Sequence, residues 1–157
     1  MNLSQDITSL LRERRQTLCV AESCTGGLVC AEFTRTPGAS EVFAGGIVCY
    51  QNKVKIEQLG VREEDIDEFS AVSSQVAIQM AEGARHLLGT DLSIAITGVA
   101  GPGPDARGNA EGLVFIAIAD PSGAKCARYL IQEPSRELIR MSAVNIALDQ
   151  LWSAIQS

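Results

Sequence analysis

Ala21-Glu22-Ser23-Cys24-Thr25-Gly26-Gly27 is the stretch that decides how this chain is read. Before it runs Thr17-Leu18-Cys19-Val20-Ala21, an apolar run predicted to be a buried strand. After it runs Leu28-Val29-Cys30-Ala31-Glu32-Phe33, predicted to be a helix. A strand that ends in small polar residues and two glycines, then enters a helix, brings side-chain nucleophiles and backbone N–H groups to one point. The floor of an active site is therefore expected here.

The chain outward from that corner alternates helices and strands. Residues 4–15 carry Leu and Ile at helical spacing, and 17–22 form the first strand. The helix after the corner stops near Thr36-Pro37-Gly38. Phe43 to Tyr50 is a second strand, and Asn52 is placed as the N-cap of a short helix ending at Gly60. Arg62 to Phe69 is a short acidic helix or turn, and Ser73 or Ser74 caps a longer helix to Leu88. Leu92 to Ile96 is a third strand that runs into the glycine-rich loop Thr97 to Pro104. Gly112–Ala119 and Ala124–Ile131 are too close in sequence for a crossover, so they pair as an antiparallel hairpin. Pro134-Ser135 opens a last helix with an apolar stripe of Leu138, Met141, Val144, Leu148, Leu151 and Ile155. The expected fold is one α/β domain over 1–157. It has three layers, α/β/α, around a mixed, mostly parallel five-stranded sheet ending in an antiparallel hairpin.

Composition narrows the function. With 46% hydrophobic and 20% charged residues the chain is globular. Its net charge of -6 and scattered basic residues exclude a phosphate-backbone tracker, so no nucleic-acid partner is expected. No apolar run reaches the ~20 residues of a membrane span, and the polar N-terminus is no signal peptide. Five cysteines without a C-x-x-C spacing argue for reduced thiols in a cytoplasmic protein, not a disulfide framework or a zinc site.

The chemistry available is limited. The one histidine, His86, lies near a helix C-terminus, which disfavours a Ser-His-Asp triad, a Cys-His pair or a histidine metal site. Lysine is the remaining strong base, and only Lys53, Lys55 and Lys125 exist. The first two fall in the first turn of a helix. There the macrodipole and burial would lower an ammonium pKa, but they point to different sides, so at most one faces the site. Ser23 is the candidate nucleophile and Cys24 ranks behind it. Thr25, Gly26 and Gly27 would supply a hydroxyl and amides to an oxyanion or phosphate. Arg136 and Arg140 lie four apart at the start of the last helix, where cations oppose the dipole and suit an anion site.

Together these residues resemble the CinA C-terminal-domain family, the nicotinamide-nucleotide amidases. The markers are AESCTGG at 21–27, Tyr50-x-Asn52-x-x-Lys55, Ala71-Val72-Ser73, Gly98-Val99-Ala100-Gly101-Pro102, and Arg136 with Arg140. Larger family members carry a further N-terminal domain, so this chain resembles the stand-alone form. The resemblance implies deamidation of nicotinamide mononucleotide to nicotinic acid mononucleotide and ammonia, by a serine–lysine mechanism without metal or cofactor. It makes Ser23 the nucleophile, Lys55 its base and Tyr50 an assisting residue. It makes Thr25, Gly26, Gly27, Asn52, Thr97, Gly98, Ala100, Gly101 and Arg140 substrate contacts, with Arg140 on an anion. It further implies a small-molecule nucleotide as partner, no membrane, and a homo-oligomer, a dimer. Two loops depart from the family: Asn109-Ala110-Glu111-Gly112 stands where a Lys-Pro pair is usual, and Pro134-Ser135 where Gly-Asp is frequent. The alternatives are a non-catalytic nucleotide-binding paralogue, favoured by the altered loop at 109–111, and a hydrolase using Cys24.

Overall fold

The computed structural model describes residues 2–157. In chain order these form α1 (Leu3–Arg14), β1 (Leu18–Glu22), α2 (Leu28–Thr34), β2 (Phe43–Val48), α3 (Asn52–Leu59), α4 (Glu63–Phe69), α5 (Ser74–Leu88), β3 (Leu92–Gly98), β4 (Leu113–Asp120), β5 (Gly123–Leu130) and α6 (Arg136–Gln156). The sheet order is β2-β1-β3-β4-β5. β1 lies parallel to both β2 and β3, and β4 is antiparallel to both β3 and β5. Four strands thus share one direction and β4 alone opposes them. The hairpin of β4 and β5 closes at the pair Asp120 and Gly123. Asp120 Oδ1 accepts the Ser122 backbone N–H at 2.7 Å, which fixes the turn.

The alternation of side chains along each strand separates the two layers. Leu18, Val20, Ile94, Ile96, Val114, Ile116 and Ile118 form one face. They pack against Ile7 and Leu11 of α1, Val29 and Phe33 of α2, and Ile139 and Leu151 of α6. Cys19, Ala21, Ala95, Ala117 and Ala119 form the other face, against α3, α4 and α5. Small residues on that face let α5 approach closely, and α5 answers with its own Ala77, Ala81 and Ala84. α3 crosses α5 at Gly83, where a Cβ would stand 1.9 Å from the Leu59 carbonyl oxygen. This is the three-layer α/β/α arrangement read from the sequence.

Three details of that reading change. Gln51, not Asn52, is the N-cap of α3, and Asn52 is the first helical residue. β3 runs on through Thr97 to Gly98, so Thr97 belongs to the strand. Leu138 and Met141 are 41% and 51% exposed, because the first turns of α6 bury Ile139 and Ala143 instead. Ser73 and Ser135 cap α5 and α6 by accepting the Val76 and Leu138 N–H groups. All five cysteines are free thiols. No helix among the described residues is long and apolar enough to cross a membrane.

Candidate active site

β1 is flanked by parallel neighbours, so the carboxyl ends of β1, β2 and β3 open on one edge of the sheet, where α/β sheets bind ligands. The ladder continues one step beyond β1. The Ser23 N–H donates to the Ile96 carbonyl at 3.0 Å, and the Cys49 N–H donates to the Glu22 carbonyl at 2.9 Å. The Glu22–Ser23 peptide is therefore held by both neighbouring strands before the chain turns. Gly26 and Gly27, with φ of 59° and 109°, make the turn into α2.

Glu22 alternates onto the α2 face of β1 and is completely buried. Its Oε1 accepts the Thr25 hydroxyl at 2.5 Å and the Val29 N–H at 3.1 Å. Its Oε2 accepts the Cys30 N–H at 3.0 Å. The positive end of α2 is thus filled by the chain's own carboxylate. Behind the turn, Arg140 donates Nε to the Cys24 carbonyl at 3.0 Å and Nη2 to the Thr25 carbonyl at 3.2 Å. A Cβ at Gly26 would stand 3.2 Å from that Nη2. Thr25, Gly26, Gly27 and Arg140 consequently stand behind the corner and do not line the crevice. The Thr25 hydroxyl is committed to Glu22 and the Arg140 guanidinium to the Cys24 and Thr25 carbonyls, whereas the Thr25 and Gly27 N–H groups take no backbone acceptor among the described residues.

Lys55 comes from the first turn of α3 and is 2% exposed, whereas Lys53 is exposed and 4.0 Å from Glu57. Burial thus selects one lysine of the two. Lys55 Nζ lies 3.1 Å from Ser23 Oγ, 2.7 Å from the Cys49 carbonyl oxygen and 3.3 Å from that of Tyr50. No carboxylate pairs with it among the described residues. Burial holds its pKa below the ordinary lysine value of 10.5. A neutral amine has two N–H groups and one lone pair. With both N–H groups on the two carbonyls, the lone pair faces the serine hydroxyl. Cys24 sits beside Ser23, but burial pushes its thiol up to about 11, which favours the protonated form at neutral pH. His86 is an exposed residue on α5, with Nδ1 2.8 Å from the Glu82 carbonyl oxygen.

The crevice over this pair holds roughly 310 Å³. Tyr50, Asn52, Thr97, Gly98, Ala100 and Gly101 line it with Ser23 and Lys55, as do Ala71-Val72, Pro102 to Asp105, and Arg136, which were not among the expected substrate contacts. Arg136 had a signal, its pairing with Arg140, but nothing in the sequence said which of the two faces the crevice. On the far wall, Thr97 donates its hydroxyl to the Ala71 carbonyl at 2.8 Å. A Cβ at Gly98 would meet Val114 Cγ2 at 2.7 Å, so the end of β3 is pressed onto β4. The loop beyond is held by its own polar side chains. Burial pushes the Asp105 carboxyl pKa up, but the bonds it accepts from the Asn109 side chain at 2.8 Å and from the Asn109 and Arg107 N–H groups at 2.9 Å together outweigh it and hold the pKa below the ordinary value. Arg107 donates to the Ile66 and Asp67 carbonyls at the end of α4. Glu111 turns back to accept the Gly103 N–H at 3.1 Å. Asn109 and Glu111, the residues that depart from the family pattern, brace the loop and do not line the crevice.

The comparisons with known proteins agree with one another. The family model described as the CinA C-terminal domain matches residues 1–155. A CinA-like protein of Gloeothece citriformis is 48% identical over 143 residues, which cover 90% of this chain and 34% of that protein. A putative competence-damage inducible protein of Desulforudis audaxviator is 46% identical over 142 residues, with the same coverage of 90% and 34%. The chain thus spans about a third of the length of the curated relatives it matches. The crystal structure of the competence/damage inducible protein CihA from Agrobacterium tumefaciens superposes with a TM-score of 0.91 at 35% identity, over 96% of this chain and 92% of that one.

Proposed function

The chain belongs to the CinA C-terminal domain family, and from that premise we propose that it is a nicotinamide-nucleotide amidase. It hydrolyses the carboxamide of nicotinamide mononucleotide to nicotinic acid mononucleotide and ammonia. The observation that carries this reading is the buried Lys55 amine, 3.1 Å from Ser23 Oγ and oriented by two backbone carbonyls. Neutral Lys55 takes the serine proton as Oγ attacks the amide carbon, then returns a proton to the departing nitrogen. The C–N bond breaks, ammonia leaves, and an ester to Ser23 remains. Lys55 next accepts a proton from water as the water oxygen attacks the ester, and returns it to Ser23 Oγ as the C–Oγ bond breaks. The acid product leaves as its carboxylate, with its proton going to solvent. Cys24 lines the crevice directly after Ser23, and its backbone N–H takes no backbone acceptor among the described residues, which suits an oxyanion. Tyr50 assists from the crevice wall. The proposal includes a cytoplasmic setting and a homodimer. Light scattering checks the dimer by returning twice the 16.7 kDa chain mass.

The test is ammonia release from nicotinamide mononucleotide by the wild type, Ser23→Ala and Lys55→Ala. Release by the wild type alone supports the reading, and equal rates in all three contradict it. A wild type that is stabilised against heat by the nucleotide yet releases no ammonia is the outcome of a binding paralogue.

A further inference from the structure

The amidase reading leaves the phosphate of the substrate without an obvious partner. The positive end of α2 is closed by Glu22. Arg140 is spent on two carbonyls behind the corner. Lys55 is committed at the crevice floor. One cation remains on the lining among the described residues, Arg136 at the start of α6.

Its guanidinium spans the mouth of the crevice. Nη2 donates to the Tyr50 hydroxyl at 3.0 Å on one wall, and Nη1 donates to the Gly101 carbonyl on the other. Both partners are neutral, and no carboxylate forms a salt bridge with Arg136 among the described residues. The residue is exposed, so its charge is open to an arriving ligand. A planar fork held by a phenol and a carbonyl is matched to two oxygens of a phosphate, which bind it more strongly than the neutral pair does.

We propose that Arg136 is the specificity-determining residue of this site. Its guanidinium receives the substrate's phosphate, and the contacts to Tyr50 and Gly101 form a strap that the phosphate displaces. The exchange frees the Tyr50 hydroxyl inside the crevice at the moment a phosphorylated substrate arrives. The site thereby favours the nucleotide over its nucleoside through a residue more than a hundred positions from Ser23 in sequence. This rests on the amidase reading for the identity of the substrate.

Ammonia release is measured with nicotinamide mononucleotide and with nicotinamide riboside for the wild type, Arg136→Ala and Arg136→Lys. For Arg136→Ala, kcat/KM on the nucleotide is expected to fall about 100-fold, chiefly through KM, and by at least about 30-fold more than on the riboside. Arg136→Lys is expected to fall between the two, since an ammonium keeps the charge but not the fork. Equal losses on both substrates, or none, overturn the proposal. A second readout needs no turnover: the rise in melting temperature on adding nicotinamide mononucleotide. It is expected in the wild type and lost in Arg136→Ala, while a rise retained in the variant, or absent from the wild type, overturns the assignment. A wild type that shows this rise but releases no ammonia removes the amidase reading and leaves the role of Arg136 standing.

Discussion

The two walls of the crevice are built in opposite ways. The corner at 21–27 is secured from inside, by the buried carboxylate of Glu22 and the arginine of α6 behind it. Glu22 takes up the Thr25 hydroxyl and the Val29 and Cys30 N–H groups, while Ser23 Oγ faces Lys55. The loop at 98–112 is secured nearer the surface, by Asp105, Asn109 and Glu111 within the loop and by Arg107 on the carbonyls at the end of α4. Buried networks hold a fixed geometry because an unsatisfied partner there is costly, whereas exposed contacts trade readily with water. On the proposed function, the first wall holds the chemistry and the second accommodates the ligand.

The largest expected effect lies at the corner. Lys55→Ala should lower kcat for ammonia release on the order of 10⁴-fold, as loss of one member of a catalytic unit does. Lys53→Ala, an exposed residue on the same helical turn, should stay within about twofold of wild type, and rates measured side by side decide between them. Next is Glu22→Ala, which strands the Thr25 hydroxyl and two helix N–H groups in the interior. It should reduce unfolding free energy by about 3 kcal/mol or more in denaturant titration. A loss under about 1 kcal/mol would show that the corner is not secured from inside. Gly98→Ala should cost about 1–3 kcal/mol, because the added methyl overpacks β3 against Val114. The smallest effect belongs to the loop. Glu111→Ala frees one exposed N–H, so it should raise KM by no more than about threefold, leave kcat alone, and change stability by under about 1 kcal/mol. A collapse of kcat in that variant would erase the distinction between the walls.

The sequence carries the framework of this site and not its inner wiring. The strand-to-helix corner, Ser23, and the separation of Lys53 from Lys55 follow from local patterning. The choice of Lys55 does not, since periodicity puts two lysines on different sides without saying which side is buried. Likewise Thr25, Gly26 and Gly27 have the composition of an anion site. What fills that site is Glu22, only a few residues upstream, and no local rule states that a strand's last side chain will fold over the next helix. The arginines of α6 were legible as a pair. Their division of labour depends on a helix end that projects to the crevice mouth, where Arg136 reaches Tyr50 and Arg140 reaches the Cys24 carbonyl. The same projection exposes Leu138 and Met141, which periodicity alone would bury, and shifts the buried register to Ile139 and Ala143. Alanine packs as tightly as leucine in such a contact but leaves a fainter trace in an apolar pattern.

The central claim is that Lys55 is the base that activates Ser23. The most direct measurement is the rate at which a serine-reactive sulfonyl fluoride adds to Ser23, followed by intact-protein mass across pH. Only the neutral amine removes the serine proton, so the rate must rise with pH through the Lys55 pKa. Burial lowers that pKa, so the midpoint of the rise should lie below the ordinary lysine value of 10.5. In Lys55→Ala the labelling should vanish across that range. Labelling of Lys55→Ala at the wild-type rate, or a wild-type rise that begins only at the ordinary lysine value, would contradict the account.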